Sequence, residues 1–271
     1  MQTVEEFLLD DDDRYGEDTD DVRSHIRNWI DRNNPEYQIN LKRFNIHTLP
    51  PLPDTIKNLI IGNRYLVYIT ALPASLVNFS CTYCDSVRRI PDLPNSVLTV
   101  NFTGSGITKL PRLPITIQRV IAAETHISEI PYFYTGIQEI IISGTDVKKL
   151  PYISLPSTMF VLDISNTKIK RLPLLNRGLK ILNISNTKIK ILPPLPFSLA
   201  NLYVNACDNL IIQRNNTAVL IESIQSYGER WDEWYRSLRV KIRAEERVLV
   251  FQNELVQTVF RKYQEQEDIT A

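Results

Sequence analysis

The stretch Leu155-Pro156-Ser157-Thr158-Met159-Phe160-Val161-Leu162-Asp163-Ile164-Ser165-Asn166-Thr167-Lys168-Ile169 decides the fold, because the chain says it again as Ile181-Leu182-Asn183-Ile184-Ser185-Asn186-Thr187-Lys188-Ile189. Read as L-P-x-L-P-x-S/T-I/L-x-x-L-x-I-x-x-T-x-I, the phrase returns nine times between Asn40 and Cys207, with a period close to twenty residues. Its turn position is occupied in succession by Phe44, Arg64, Cys84, Ser105, Thr125, Thr145, Thr167, Thr187 and Cys207. Just before each turn stands an apolar pair: Leu59/Ile61, Phe79/Cys81, Val100/Phe102, Val120/Ala122, Ile140/Ile142, Leu162/Ile164, Leu182/Ile184 and Leu202/Val204. Strand alternation sends these pairs into the coil and turns Ile60, Ser80, Asn101, Ile121, Ile141, Asp163, Asn183 and Tyr203 outward. One coil cannot bury its own apolar face, so the coils must stack.

The prolines define the return path. In Leu52-Pro53, Leu93-Pro94, Leu113-Pro114, Leu155-Pro156 and Leu195-Pro196 the ring fixes φ and removes an amide donor, which excludes a helix interior and suits an extended segment. Twenty residues then hold a strand, a turn and an extended return. The expected product is a parallel sheet of eight or nine short strands, spaced about 4.8 Å apart.

These residues resemble the short, proline-marked leucine-rich repeats of secreted bacterial effectors, which also occur in proteins of large DNA viruses. The resemblance covers about Ile39 to Cys207, and departs at Arg64, where Asn, Thr or Cys is usual, and at Tyr132-Phe133-Tyr134, which lacks the second Leu-Pro. It implies an α/β solenoid, a leucine-rich-repeat horseshoe with a parallel concave sheet, an extended convex side and helical N- and C-terminal caps, and it implies protein binding. Some such effectors carry a cysteine-dependent ubiquitin ligase after their repeats; no cysteine follows Cys207, so that activity is not expected of residues 210–271.

The flanks divide by pattern. Residues 1–21 carry the acidic run Asp10-Asp11-Asp12-Asp13 and further carboxylates, a composition expected to stay a solvated, disordered tail. In 22–38, Val22, Ile26, Trp29 and Ile30 recur at helical spacing and predict an N-terminal helical cap; were Trp29 exposed, the helix would instead be a docking element. The solenoid occupies 39–209. In 210–271, Trp231, Trp234 or Tyr235, Leu238, Ile242, Leu249, Leu255, Val259 and Tyr263 predict a C-terminal helical cap.

Composition narrows the function classes. The 271 residues hold 31 basic and 31 acidic side chains, a formal net charge of zero, so no global field draws nucleic acid or an anionic membrane. The chain shows neither a membrane-length apolar run nor a secretory signal, and its three cysteines lack a disulfide pattern. A cytoplasmic location is expected, host cytosol or a viral particle if the source is a pathogen. Cys81-x-x-Cys84 has no second cysteine pair, and the register assigns Cys81 to the core and Cys84 to the turn. His25, His47 and His126 are scattered, and Gly104-Ser105-Gly106 lies in a repeat turn rather than before a helix. No catalytic residues, metal, cofactor or small-molecule substrate are therefore expected.

Two surfaces remain. The outward column Ile60, Asn101, Ile121, Ile141, Asp163, Asn183 and Tyr203 is the candidate partner-binding site on the concave sheet. Beyond the turns, Arg88, Arg89, Lys109, Lys148, Lys149, Lys170, Arg171 and Lys190 are expected to stack into a basic ridge, which the acidic tail is in reach to screen. The expected function is a non-catalytic module binding a protein; the alternative is a structural component, for example of a viral particle, that uses its helical caps for contacts.

Overall fold

The computed structural model describes residues 2–10, 13–34, 36–132, 135–151, 154–207 and 210, so the cap expected at 210–271, beyond its first residue, and its tryptophans lie outside the described residues. The chain divides into two compact units, Met1–Pro151 and Tyr152–Ala271.

The first unit carries helices α1 (Val4–Leu9) and α2 (Thr19–Asp31), then strands β1 (Ile39–Asn40), β2 (Asn58–Ile61), β3 (Asn78–Cys81), β4 (Thr99–Asn101), β5 (Arg119–Ile121) and β6 (Glu139–Ile141). Each strand pairs in parallel with the next in sequence order, and the register aligns Leu59 with Phe79, Val100, Val120 and Ile140 in turn. The second unit repeats the pattern with β7 (Val161–Asp163), β8 (Ile181–Asn183) and β9 (Asn201–Tyr203), aligning Leu162, Leu182 and Leu202. All eight inward pairs expected from the alternation are buried, none above 2% exposure. Burial at about 25 cal/mol per Å² of apolar surface makes these columns the principal stabilising term.

Between β1 and β9 the described residues contain no helix, as the prolines require. The proline carbonyl instead opens a tight turn, seen as Ile56 N–H donating to Pro53 O at 3.2 Å, Val97 to Pro94 at 3.1 Å and Leu199 to Pro196 at 3.0 Å. The Ser or Thr two residues after the proline has a structural task as well. Ser96 Oγ donates to Ala74 O and Leu76 O of the preceding coil, and Thr116 Oγ1 to Asn95 O and Val97 O. Where Gly178 removes that hydroxyl, the amide of Asn176, standing at the proline position, donates to Pro156 O, Ser157 O and Met159 O. Buried carbonyls of the extended return thus find donors that a helix or sheet would have supplied.

The N-terminal flank corrects the expectation of a disordered tail over 1–21. Thr3 and Glu6 form a capping box that starts α1, and Phe7 is fully buried against Tyr15 with ring centroids 5.1 Å apart. Gly16 bridges Ile46, and His47 N–H donates to Tyr15 O at 2.7 Å. Gly16 has φ of 140°, and a Cβ there would lie 2.3 Å from Asn45 O, so only glycine fits this crossing. Three of the carboxylates are paired locally: Asp18 accepts from Asn45 N at 2.7 Å, Asp10 from Arg14, and Asp20 from the buried Arg23. These anchors hold the segment against the first coil, which removes the free tether imagined for screening the ridge. In α2, Val22, Ile26 and Trp29 are buried, Trp29 Nε1 donates to Tyr37 O at 2.7 Å, and Ile30 alone of the expected stripe faces out at 40% exposure. The docking reading of this helix needed an exposed Trp29 and loses its basis.

Candidate functional site

The turn that closes each coil explains which side chains reach the surface. From the turn after β3 onward, one residue per turn adopts a left-handed backbone: Tyr83, Gly104, Glu124, Gly144, Asn166, Asn186 and Ala206 have φ between 53° and 68°. Its N–H crosses to the next coil, as in Tyr83 to Thr103 O at 2.8 Å and Asn166 to Ser185 O at 2.8 Å. The following residue points back in. Ser105, Thr125, Thr145, Thr167 and Thr187 each donate a hydroxyl to the carbonyl three residues before, at 2.6–2.8 Å. Arg64 breaks this column and is exposed; Asn63, one residue earlier, is buried instead, donating to Phe44 O and Ile46 O and accepting from Tyr65 N.

On the sheet face of the first unit, Ile60, Ser80, Asn101, Ile121 and Ile141 stand in register, all half-buried. Asn101 Oδ1 accepts from Thr103 N at 3.0 Å and Thr103 Oγ1 at 2.7 Å, so its amide is held by its own turn. In the flanking column Arg119 pairs with Glu139 at 2.5 Å. On the second unit's face Asp163, Asn183 and Tyr203 align. Asp163 accepts from Ser165 N and Oγ and from Asn183 Nδ2 at 2.7–3.0 Å, while Asn183 Oδ1 accepts from Ser185 N. Asn101, Asp163 and Asn183 are therefore fixed before anything binds.

All eight residues of the expected ridge are exposed: Arg88, Arg89, Lys109, Lys148 and Lys149 in the first unit, and Lys170, Arg171 and Lys190 in the second. Arg88 Nη1 also donates to Gly106 O at 3.0 Å. The same edge carries exposed aromatics that the repeat reading passed over, Tyr65 at 55%, Tyr68 at 64% and Tyr83 at 61%. Their signal was present in the sequence as bulky side chains at positions where the repeat needs none.

Cys81 and Cys84 are both buried, in core and turn as expected. The Cys81 thiol donates to Cys84; that bond and burial push Cys81 well up, and the same bond lowers Cys84, helped by the Asn63 backbone. Among the described residues no group of three His, Cys, Asp or Glu could hold a metal ion. His25 sits between two open clefts of about 640 and 430 Å3, one lined by Glu36, Tyr37, Asn40 and Asn58, the other by Asp18, Asp21, Asn28 and Arg43. Its ring lies 5.5 Å from that of Phe44, and partial burial, then Arg43 and Arg32, hold its pKa below the usual imidazole value.

No helix among the described residues is long and apolar enough to cross a membrane. The sequence matches no protein-family model and no curated protein. Among solved structures, YopM from Yersinia enterocolitica is 20% identical with a TM-score of 0.55, over 73% of this chain and 50% of that chain. The leucine-rich-repeat domain of a Shigella effector is 19% identical with a TM-score of 0.58, over 69% of this chain and 84% of that chain. This chain spans half the length of the YopM structure it matches. Parallel strands in twenty-residue register, inward aliphatic columns and these two likenesses together establish that the chain has the leucine-rich-repeat fold.

Proposed function

We propose that the chain is a non-catalytic protein-interaction module, and that a protein partner docks on the outward sheet face. The observation that carries this reading is pre-organisation. Asn101, Asp163 and Asn183 are locked by their own turns, so a partner meets a surface that has little side-chain entropy left to lose. Ile121 and Ile141 offer an adjacent apolar strip on the first unit, and Tyr203 an aromatic one on the second. Three buried free thiols suit a reducing compartment, which supports a cytosolic setting for the partner.

The test begins with affinity capture from the native source and identification of the partner by mass spectrometry. Ile141→Arg and Tyr203→Ala should then each weaken capture at least tenfold, about 1.4 kcal/mol, with circular dichroism unchanged. Undiminished capture by both variants removes the sheet face from consideration.

A further inference from the structure

We propose that the turn edge of the coils headed by β2, β3 and β4 is a second docking site, formed by Tyr65, Tyr68, Tyr83, Arg88, Arg89 and Lys109, for an acidic peptide segment of a protein partner. The site is separate from the sheet face and does not depend on it. Four of the large apolar side chains exposed among the described residues, Tyr65, Val67, Tyr68 and Tyr83, fall within nineteen residues of chain on adjoining turns. The two coils meet at these turns, where Thr82 N–H donates to Ile61 O at 3.0 Å.

Tyr83 is the informative member. Its φ of 55° is a strained choice for a bulky residue at a position that Gly104, Gly144, Asn166 and Asn186 occupy at lower cost, and its ring, 61% exposed, regains little by burial. The next turn is shaped to receive it. A Cβ on Gly104 would lie 2.6 Å from Tyr83 Cδ1, and one on Gly106 would lie 2.1 Å from Asp85 O and 2.9 Å from Arg88 Nη1. The tyrosine ring and the guanidinium therefore both lie across the bare Gly104-Ser105-Gly106 backbone, Arg88 anchored there through Gly106 O. The rest of the arginine fork stays available to a carboxylate.

Ring, guanidinium and neighbouring Arg89 and Lys109 give an aromatic and cationic surface of the composition that dominates binding energy at protein interfaces. Charge complementarity sets the partner as acidic. Asp85 on the Tyr83 turn, with Glu124 and Glu129 two coils further on, interrupts the positive edge. A polyphosphate backbone, charged at every step, would run into these carboxylates, whereas a peptide can space its acidic residues around them.

Selection of displayed random peptides on the full chain at low salt tests the proposal. The enriched pool should be rich in Asp and Glu beside apolar residues, and raised salt should weaken its capture. Tyr83→Ala and Arg88→Ala should each reduce capture at least tenfold; Tyr68→Ala and Lys109→Ala, at positions that touch no glycine turn, provide a second pair. Ile141→Arg on the sheet face should leave capture intact, so this result stands or falls apart from the sheet-face reading. A pool without acidic enrichment, capture retained by all four variants, or binding of a fluorescent oligodeoxythymidine in place of peptides would overturn it.

Discussion

The turns of the two units obey one backbone rule with different side chains. In residues 154–207 the left-handed position is Asn166, then Asn186, then Ala206, and the two asparagine amides bond to each other at 2.9 Å. In residues 36–151 the same position holds Tyr83, Gly104, Glu124 and Gly144, alternately a bulky side chain and none at all. Asparagine tolerates the left-handed region because its short polar side chain bonds locally, and glycine because it lacks a Cβ. Tyrosine and glutamate have neither excuse. Asn166, Asn186 and the glycines thus show what the coil needs; Ala206 adds only a methyl to it, whereas Tyr83 and Glu124 are large side chains placed at a cost the coil does not require.

The largest effect should test the core that both units share. Ile164 is fully buried, so Ile164→Asp places an unpaired carboxylate between coils and should cost on the order of 4 kcal/mol in denaturant unfolding. Its neighbour Asp163 points the other way. Facing outward does not make Asp163→Ala neutral: the three hydrogen bonds that Asp163 accepts set its expected cost at about 1–2 kcal/mol. Equal losses in the two variants would place the register one residue off.

A smaller and opposite effect sharpens the contrast between turns. Tyr83→Gly relieves left-handed strain of about 1–2 kcal/mol and gives back part of it as unfolded-chain entropy, leaving a net stabilisation of about 0.5–1 kcal/mol. Asn166→Gly should change stability by no more than a few tenths of that unit. Thermal melts of both variants decide the matter: if Tyr83→Gly destabilises the protein, the ring contributes packing that outweighs its strain, and the contrast fails.

The smallest effect concerns His25. Its folded pKa lies below the unfolded value of about 6.5, so the unfolded chain binds the proton more readily. Its contribution to stability is present above that pH and is lost as pH falls below it. Protonation adds a third positive charge beside Arg43 and Arg32 where α2 meets Phe44. The drop in melting temperature between pH 7 and pH 5 should be smaller in His25→Gln than in the unaltered chain; an equal drop would assign the acid sensitivity to other groups.

Much of this architecture is legible residue by residue. Period-two alternation inside a twenty-residue period identified every inward pair, and the prolines excluded helices from the return. The sheet-face column was legible for the same reason. Less legible were the substitutes. Asn63 takes over from Arg64, and Asn176 from Gly178, because a buried carbonyl asks only for a donor within reach and does not fix which residue brings it. The acidic N-terminus misled for a related reason. Composition weighed its charges as mutual repulsion, while Arg14, Arg23 and the Asn45 amide pair with Asp10, Asp20 and Asp18, and Phe7 and Tyr15 supply the apolar contact.

By itself, then, the sequence determined which side chains enter the coil and which leave it, since that depends on alternation and repeat length, both local properties of the chain. Only the tertiary structure decided which exposed side chains share a surface. Tyr83 and Arg88 meet on a turn that begins some twenty residues later in the chain, and they meet because left-handed turns and side-chain-free glycines bring that backbone beneath them. Such neighbours are set by stacking between coils and by the sign of φ, neither of which a repeat pattern records.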